Sequence, residues 1–489
     1  MANSTLKKIT LYTAGALSGI ALSLSVQSFA AKNEAGKPDA LPVQSLRTLA
    51  EVYGQIKANY YEDKSDDKLL EGAMKGMVDS LDPHSEYMNK KDYADLKEHT
   101  SGEFGGLGME IGAEDGFIKV VAPIEDTPAE RAGIKSGDFI TKINGESTRG
   151  LSVHKAVKKM RGTPGTKITL TISRKNADKP ITVKLTRAII KVKSVRHKLL
   201  EPGYGYIRIT QFQTPTVEAL AKAAQELRKE NGGELKGLVL DLRDDPGGLL
   251  NGAVGVSAAF LQDGQKVVST KGRDGKESMI LSAKKADYST MGFDDPLEGL
   301  PAELKTIPLT VLINSGSASA SEIVSGALQD HKRAVVVGTQ SFGKGSVQTV
   351  LPLNNGSAVK ITTALYYTPN GRSIQAQGIV PDVEVKDKDR AFESREADLA
   401  GHIGNPLGGD EVKSGDNEEA AEEIKIEPKT KDKNKEKEDI SSRREPNPAK
   451  DDQLKAALEL VKNPAKWQQS LGLAAKKPVK KKEKDKDEE

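Results

Sequence analysis

A chain of 489 residues is too long for one ordinary domain, so two or more are expected. Its 36% hydrophobic content with only 4% aromatics is thin for a chain wholly committed to packed cores, and a net charge of +3 among 29% charged residues is close to balance. That balance gives no clustered basic excess for neutralising phosphates, which argues against a nucleic-acid partner; the absence of cysteine excludes disulfides, thiolate metal sites and a cysteine nucleophile.

Lys7 and Lys8 precede an apolar run of small residues, 9–26, and Ser28-Phe29-Ala30 ends in the small-x-small pattern of a signal-peptidase site. Residues 1–30 are therefore predicted to be a signal peptide and the mature protein to be exported. The competing reading is a retained membrane anchor, because an 18-residue run is near the lower limit for a span. No later stretch is long and apolar enough to span, so membrane association after cleavage is expected to be weak or none.

A helical region is predicted next, over 31–100. Leu46, Leu49, Val52, Tyr53 and Ile56 recur at helical steps, 69–81 repeats the pattern, and Asp82-Pro83-His84 breaks it. These helices read as a packing or dimerisation element. In 101–188 glycine punctuates short β-rich runs, with one helical run from Ser152 to Met160, as in a compact β module. From 189 to 385, strands (205–211, 237–242, 309–313, 334–338, 346–353) alternate with helices (215–230, 249–261, 319–330), the pattern of an α/β core. Residues 386–452 form a charged low-complexity linker with too few apolar groups to offset the entropy of folding. Leu454, Ala457, Leu458 and Val461 mark a short amphipathic helix within 453–475, and 476–489 is a charged tail.

The richest chemistry lies in 314–322 (NSGSASASE), between an apolar strand and a helix. A serine there stands beside the unpaired N–H groups of a helix start, which can stabilise an oxyanion, although an ordinary serine N-cap has the same look. The base is open between two residues. His331 lies in the same α/β unit, in a charged helix end where a surface histidine is the ordinary reading. Lys344, in Gly343-Lys344-Gly345, can serve if burial favours its neutral amine. An extended 344–348 would put Lys344, Ser346 and Gln348 on one face, with Gln348 free to hold the amine. The segment 338–344 nearly matches a nucleotide P-loop, but Gly345 replaces the magnesium-binding hydroxyl and a strand follows where a helix is required. In 240–249 (LDLRDDPGGL) a strand ends in a glycine pair that can present a backbone N–H; Asp241, Asp244 and Asp245 beside Arg243 read as a turn with local ion pairing rather than a metal site.

Together these motifs resemble the carboxy-terminal processing peptidases, or tail-specific proteases. That family's D-L-R-x-N-x-G-G-like turn, S-A-S-A-S-E segment and T-F-G-K-G loop appear here as 241–248, 317–322 and 341–345, after a glycine-punctuated module that matches the family's PDZ domain. The resemblance covers roughly 45–385. It implies a multidomain α/β chain with a mixed, crotonase-like serine peptidase core, an inserted β-rich PDZ domain, a helical N-terminal region and a largely disordered charged C-terminal region. It also implies Ser319 as nucleophile, Lys344 as base, Gln348 as its orienting partner, and an oxyanion hole from the N–H groups of Gly248 and Ala320. No metal or organic cofactor is expected. The departures are Asp244 and Asp245 where asparagine is frequent, and Ser341 for threonine.

The PDZ assignment has its own physical logic. Gly106, Leu107, Gly108 and Met109 form a glycine-rich entry to a strand, suited to a C-terminal carboxylate; the strand can take a peptide by β-augmentation, with Val153 and Val157 lining the groove. The expected activity is exported endopeptidase action on protein tails, in the periplasm. Expected partners are protein substrates, an adaptor or activator, and further copies of the chain. A PDZ adaptor with an inactive scaffold and a Ser319–His331–Asp acyl hydrolase remain open.

Overall fold

The structure, a computed structural model, describes residues 42–114, 116–124, 126–175, 177, 179–289, 294–387, 394–408 and 446–472. The predicted signal peptide, most of the charged linker and the terminal tail lie outside these. The chain divides into two units at Ala73/Met74. In the first, α1 (Val43–Asn59) exposes the stripe of Val43, Leu46, Leu49 and Val52, and Lys57 in its last turn pairs with Asp66 at 3.1 Å, at the start of α2 (Asp66–Asp79). Among the described residues no helix is long and apolar enough to cross a membrane.

The second unit opens with β1 (Glu86–Met88) and α3 (Lys90–Ser101), whose N-cap Asn89 accepts from the Lys91 and Asp92 N–H groups. A narrow ribbon, β2 (Glu103–Gly106) paired antiparallel with β9 (Ala188–Lys191), closes the base of an inserted β-rich module. Within it lie β3 (Met109–Glu114), β4 (Phe117–Pro123), α4 (Pro128–Arg131), β5 (Phe139–Ile143), β6 (Glu146–Ser147), α5 (Val153–Met160), β7 (Lys167–Ser173) and β8 (Ile181–Thr186). The sheet order is β3-β4-β5-β7-β8, with β6 on β5, so β3 is an edge strand. Strict alternation builds its core: β7 buries Ile168, Leu170 and Ile172 and turns the residues between them away.

The chain then builds β10 (Val195–Glu201), β11 (Tyr204–Ile209), α6 (Thr216–Glu230), β12 (Gly237–Asp241), α7 (Leu250–Ala258), β13 (Lys266–Gly272), β14 (Glu277–Ser282) and α8 (Lys285–Tyr288). After these come β15 (Leu309–Ile313), α9 (Ala320–Asp330), β16 (Val335–Gly338), β17 (Ser346–Pro352), β18 (Ala358–Tyr367), β19 (Val383–Glu384), α10 (Asp452–Lys462) and α11 (Pro464–Ser470). Six strands form the central sheet in the order β10-β11-β12-β15-β16-β19; every pair is parallel except β10 with β11. Its inner strands β12, β15 and β16 read as near-continuous apolar runs because both of their faces are covered. Leu238, Leu240, Leu309, Val311 and Ile313 pack with residues of α6, α7 and α9. Tyr206, Val239, Leu312, Val335 and Val337 pack with Leu454, Ala457, Leu458 and Val461 of α10.

Three differences from the sequence reading matter for the site. The core is not confined to 189–385. Strand β1, from the region expected to be helical, pairs with β18 in a second sheet of β1, β18, β13 and β14, with β17 on β18. Helix α10, expected only as a short amphipathic helix, is buried within its own chain and covers one face of the central sheet. The short turn Glu396–Asp398, inside the expected linker, is also ordered and buries Glu396.

Candidate active site

Three loops meet at the carboxyl ends of adjacent parallel strands, where an open α/β sheet presents its ligand crevice. The 242–249 loop follows β12, 314–319 follows β15 and 339–345 follows β16. Ser319 is the N-cap of α9 with φ of 53°, a left-handed value that is uncommon for a side chain other than glycine's. Such strain persists only where surrounding bonds over-determine it. Here Ser317 Oγ donates to Leu242 O at 2.7 Å, Ala318 N to Asp245 O at 3.0 Å, and Ser321 Oγ to the same carbonyl at 3.0 Å. The serine segment is thus fastened to the 242–249 turn.

The close approach of that turn explains its glycines. A Cβ on Gly247, whose φ is 98°, would come within 2.7 Å of Ala318 O and 2.8 Å of Ala320 N. The Gly247 N–H is taken by Asp245 Oδ1 at 2.9 Å. The N–H groups of Gly248 and Ala320, by contrast, have no acceptor among the described residues. The turn also carries the ion pairing expected of it: Arg243 meets Asp241 at 2.7 Å, and its guanidinium reaches Asp451 at the N-cap of α10 at the same distance.

Glu322 joins the two remaining loops. It is fully buried, and its carboxylate takes four donors: Ser319 N at 2.8 Å and Lys344 N at 2.9 Å on Oε2, Ser341 Oγ at 2.6 Å and Gly343 N at 2.7 Å on Oε1. Burial pushes its pKa up to about 7 against those donors. Two donors on each oxygen suit the ionised form. The Ser319 and Lys344 backbones therefore hang from one carboxylate oxygen. Sequence reasoning treated Glu322 only as the end of a motif; the S-x-x-E capping-box spacing from Ser319 was the signal that could have found it.

Lys344 is held in a half-buried pocket, and its Nζ has no hydrogen-bond partner among the described residues. Burial, followed by the charge of Lys360, lowers its pKa, while Glu396, Glu322 and Asp82 pull the other way. The glycine after it has a packing reason, since a Cβ on Gly345 would lie 2.3 Å from Gln375 N. Gln348 donates Nε2 to Ser346 Oγ at 2.9 Å and to Thr362 Oγ1 at 3.2 Å, which leaves its carbonyl oxygen to accept from an amine. A bulge at Val347/Gln348 interrupts the simple alternation expected over 344–348. Thr362 Oγ1 donates on to Asp82 at 3.1 Å, and Ser85 Oγ donates to the same carboxylate at 2.6 Å. His84 meets Glu396 at 2.8 Å. The Asp82–Ser85 turn, read from sequence only as a helix breaker, thus supports the lysine's surroundings.

His331 caps the far end of α9, roughly 18 Å along the helix from Ser319 at 1.5 Å per residue. Its Nε2 lies 2.7 Å from Lys266 O and its Nδ1 3.3 Å from Gln265 Nε2, so both nitrogens have partners remote from the serine.

In the β module, β2 ends at Gly106, and the Leu107 and Gly108 N–H groups have no acceptor among the described residues. Leu107 is itself buried, while Gly108, with φ of 78°, lies against Thr127, which a Cβ would meet at 2.2 Å. Met109 begins the edge strand β3, and Val153 and Val157 of α5 are partly buried. An edge strand with two free N–H groups at its entrance can accept an extended peptide and its carboxylate.

Comparison with known proteins gives three family matches: "Peptidase family S41" over residues 203–385, "PDZ domain" over 119–174 and "Activating protease CtpB N-terminal domain" over 9–92. The chain is similar to the carboxy-terminal-processing protease of Bartonella bacilliformis, 44% identical over 405 residues, or 81% of this chain and 88% of that one. It is also similar to the carboxy-terminal processing protease CtpA of Bacillus subtilis, 36% identical across 70% of this chain and 69% of that one. Among solved structures, the photosystem II D1 C-terminal processing protease aligns with 70% of this chain and 87% of its own, at 30% identity and a TM-score of 0.40.

Proposed function

The chain belongs to the carboxy-terminal processing proteases of peptidase family S41, and from that membership we propose an exported endopeptidase that captures protein tails in its PDZ domain and cuts them with a Ser319–Lys344 dyad. The observation that carries this reading is the shared acceptor: Glu322 Oε2 holds the backbone N–H groups of the strained serine and the half-buried lysine at 2.8 and 2.9 Å. Neutral Lys344 accepts the Ser319 proton as Oγ attacks the scissile carbonyl. The Gly248 and Ala320 N–H groups, which have no acceptor among the described residues, receive the oxyanion. Protonated Lys344 then donates to the leaving amine, and water resolves the acyl-enzyme. Gln348 positions the amine through its carbonyl oxygen.

Docking of a tail carboxylate on the Leu107 and Gly108 N–H groups, with the peptide paired to β3 between Met109 and the Val153–Val157 face, raises the substrate's local concentration. Export to the periplasm rests on the charged and apolar pattern of residues 1–30. Self-association through the exposed stripe of α1 and action with an adaptor are further parts of the proposal.

The test is casein hydrolysis by the mature protein and by Ser319→Ala, Lys344→Ala and His331→Ala. Loss in the first two alone supports the dyad. Full activity of Ser319→Ala, or loss confined to His331→Ala, refutes it; tail binding without turnover by the wild type returns the adaptor reading.

A further inference from the structure

The turn that feeds the oxyanion hole contains an acid with an unusual setting. Asp245 is fully buried. Its Oδ1 accepts one hydrogen bond, from Gly247 N at 2.9 Å, and its Oδ2 is buried with no hydrogen-bond partner among the described residues. Its main-chain carbonyl receives Ala318 N and Ser321 Oγ, each at 3.0 Å. One residue thus shapes the glycine turn with its side chain and bolts that turn to the serine segment with its backbone.

The surrounding charges do not neutralise it. Arg208 of β11 lies 3.4 Å from Asp241 of β12 and 3.9 Å from Asp244 in the turn. Arg243 pairs with Asp241 and Asp451. Glu322 of α9 is a further acid one residue beyond Ser321, and its four donors come from the serine and lysine segments. Among the described residues no cation makes an ion pair with Asp245. A buried carboxylate with one donor and no counter-charge is far more costly than a buried neutral acid.

We propose that Asp245 works as the neutral acid and is a positioning residue for the oxyanion hole. Its protonated carboxyl does what an amide would do at this place in the turn, holding Gly247 so that the next N–H, that of Gly248, faces the reacting carbonyl. Ionisation sets a negative charge beside the developing oxyanion and opposes the very stabilisation that the two N–H groups supply. Burial raises the Asp245 pKa to about 8, with Gly247 N–H, Ser321 and Arg208 offsetting only part. The neutral form therefore dominates at neutral pH, and catalysis is lost as pH rises through that value. This inference rests on the Ser319–Lys344 reading of the site.

The experiment is the pH dependence of kcat and KM for a tail peptide, between about pH 6 and about pH 10, for wild type and Asp245→Asn, with Ser319→Ala alongside. The expected wild-type kcat falls about tenfold per pH unit above the titration, with KM unchanged, and Asp245→Asn lacks that descent. A descent shared by both enzymes, or absent from the wild type, overturns the proposal. Activity in Ser319→Ala instead overturns the dyad reading, so the two failures are distinct. A second measurement needs no folded Asp245→Asn. In wild type with isotope-labelled aspartate, in an Asp382→Asn background that removes another acid raised by burial, the infrared carbonyl band of a protonated aspartic acid is expected at neutral pH and lost on alkalinisation. Its absence at neutral pH refutes the neutral acid.

Discussion

Replacing Glu322 by glutamine tests whether one carboxylate holds the Ser319 and Lys344 loops together. Glutamine keeps one acceptor oxygen and puts an NH₂ where the other stood. With its carbonyl toward Ser319 N and Lys344 N, the Gly343 N–H loses its acceptor and the Ser341 hydroxyl must turn to accept. That hydroxyl already accepts from Ile379 N at 2.6 Å, so it has room for one more donor. With the amide flipped, the Ser319 and Lys344 N–H groups are both orphaned. A buried orphan costs about 1–3 kcal/mol, so the first arrangement wins, and the bonds it retains lose their charge assistance. The sum is about 2–4 kcal/mol, within the stability of an ordinary domain, so the variant should fold. The lysine loop loses one tether, and a displacement of about 1 Å there costs about 10²-fold in kcat. Urea unfolding and tail-peptide kinetics measure the two effects. A stability change below about 0.5 kcal/mol with kcat within about twofold of wild type would refute the tether.

Gly247→Ala should fold but lose about 10²-fold or more in kcat, because its methyl displaces Ala318 O and Ala320 N from beside the turn; single-turnover kinetics check it. Leu454→Ala should cost about 2–5 kcal/mol in a denaturant titration, since Leu454 is fully buried between α10 and the central sheet. Gly108→Val should abolish tail-peptide binding measured by titration while the isolated chemistry on casein persists, because φ of 78° and the Thr127 contact exclude a branched side chain. Asp245→Asn should stabilise the fold by a few kcal/mol at alkaline pH. The sign follows from the raised pKa: the unfolded acid ionises near 3.8 and the folded one near about 8. Wild-type stability is therefore eroded as pH climbs between those values, and the gap to the variant is widest above the upper one. Thermal melts across pH that show no widening gap would contradict it.

The central strands were legible because both of their faces are buried and their residues read as short apolar runs; LTVLI of β15 was bounded to the residue. The helix carrying Ser319 was equally plain, because its small-residue run follows directly on that strand. What failed to show was everything set by long-range pairing. β1 is three residues whose only distinction is its partner, 358–360, some 270 positions on. The β13 and β14 segments carry Lys, Thr, Gly and Ser, and only their antiparallel partners make them strands. Helix α10 was found, but its amphipathic face fits a neighbouring copy as well as its own sheet, and nothing local says which. The same holds at the site. Ser319 and Lys344 are visible as residue types at loop positions, whereas Glu322, Asp82 and Thr362 act through bonds that cross the chain.

The places where local rules are broken cluster at this crevice. Ser319 at φ 53° and Asp244 at φ 58° are non-glycine residues in left-handed conformations, one in the serine segment and one in the 242–249 turn. Asp245, beside Asp244, is a buried acid with no ion-pair partner among the described residues. Each is unfavourable alone, and each is enforced by bonds from the other loop: Asn314 Oδ1 accepts Asp244 N at 3.0 Å, and Ala318 N reaches Asp245 O. Strain of this kind survives when relieving it would break a network worth more than the strain itself. Relaxing Ser319 would tear its N–H from Glu322, which also holds Lys344. The placement of the Ser319 and Lys344 loops and the turn's strain are then one cooperative state, so mutations in either loop should couple non-additively in double-mutant cycles with Glu322. Additive effects of Gly247→Ala and Glu322→Gln on kcat would mean that the loops are positioned independently.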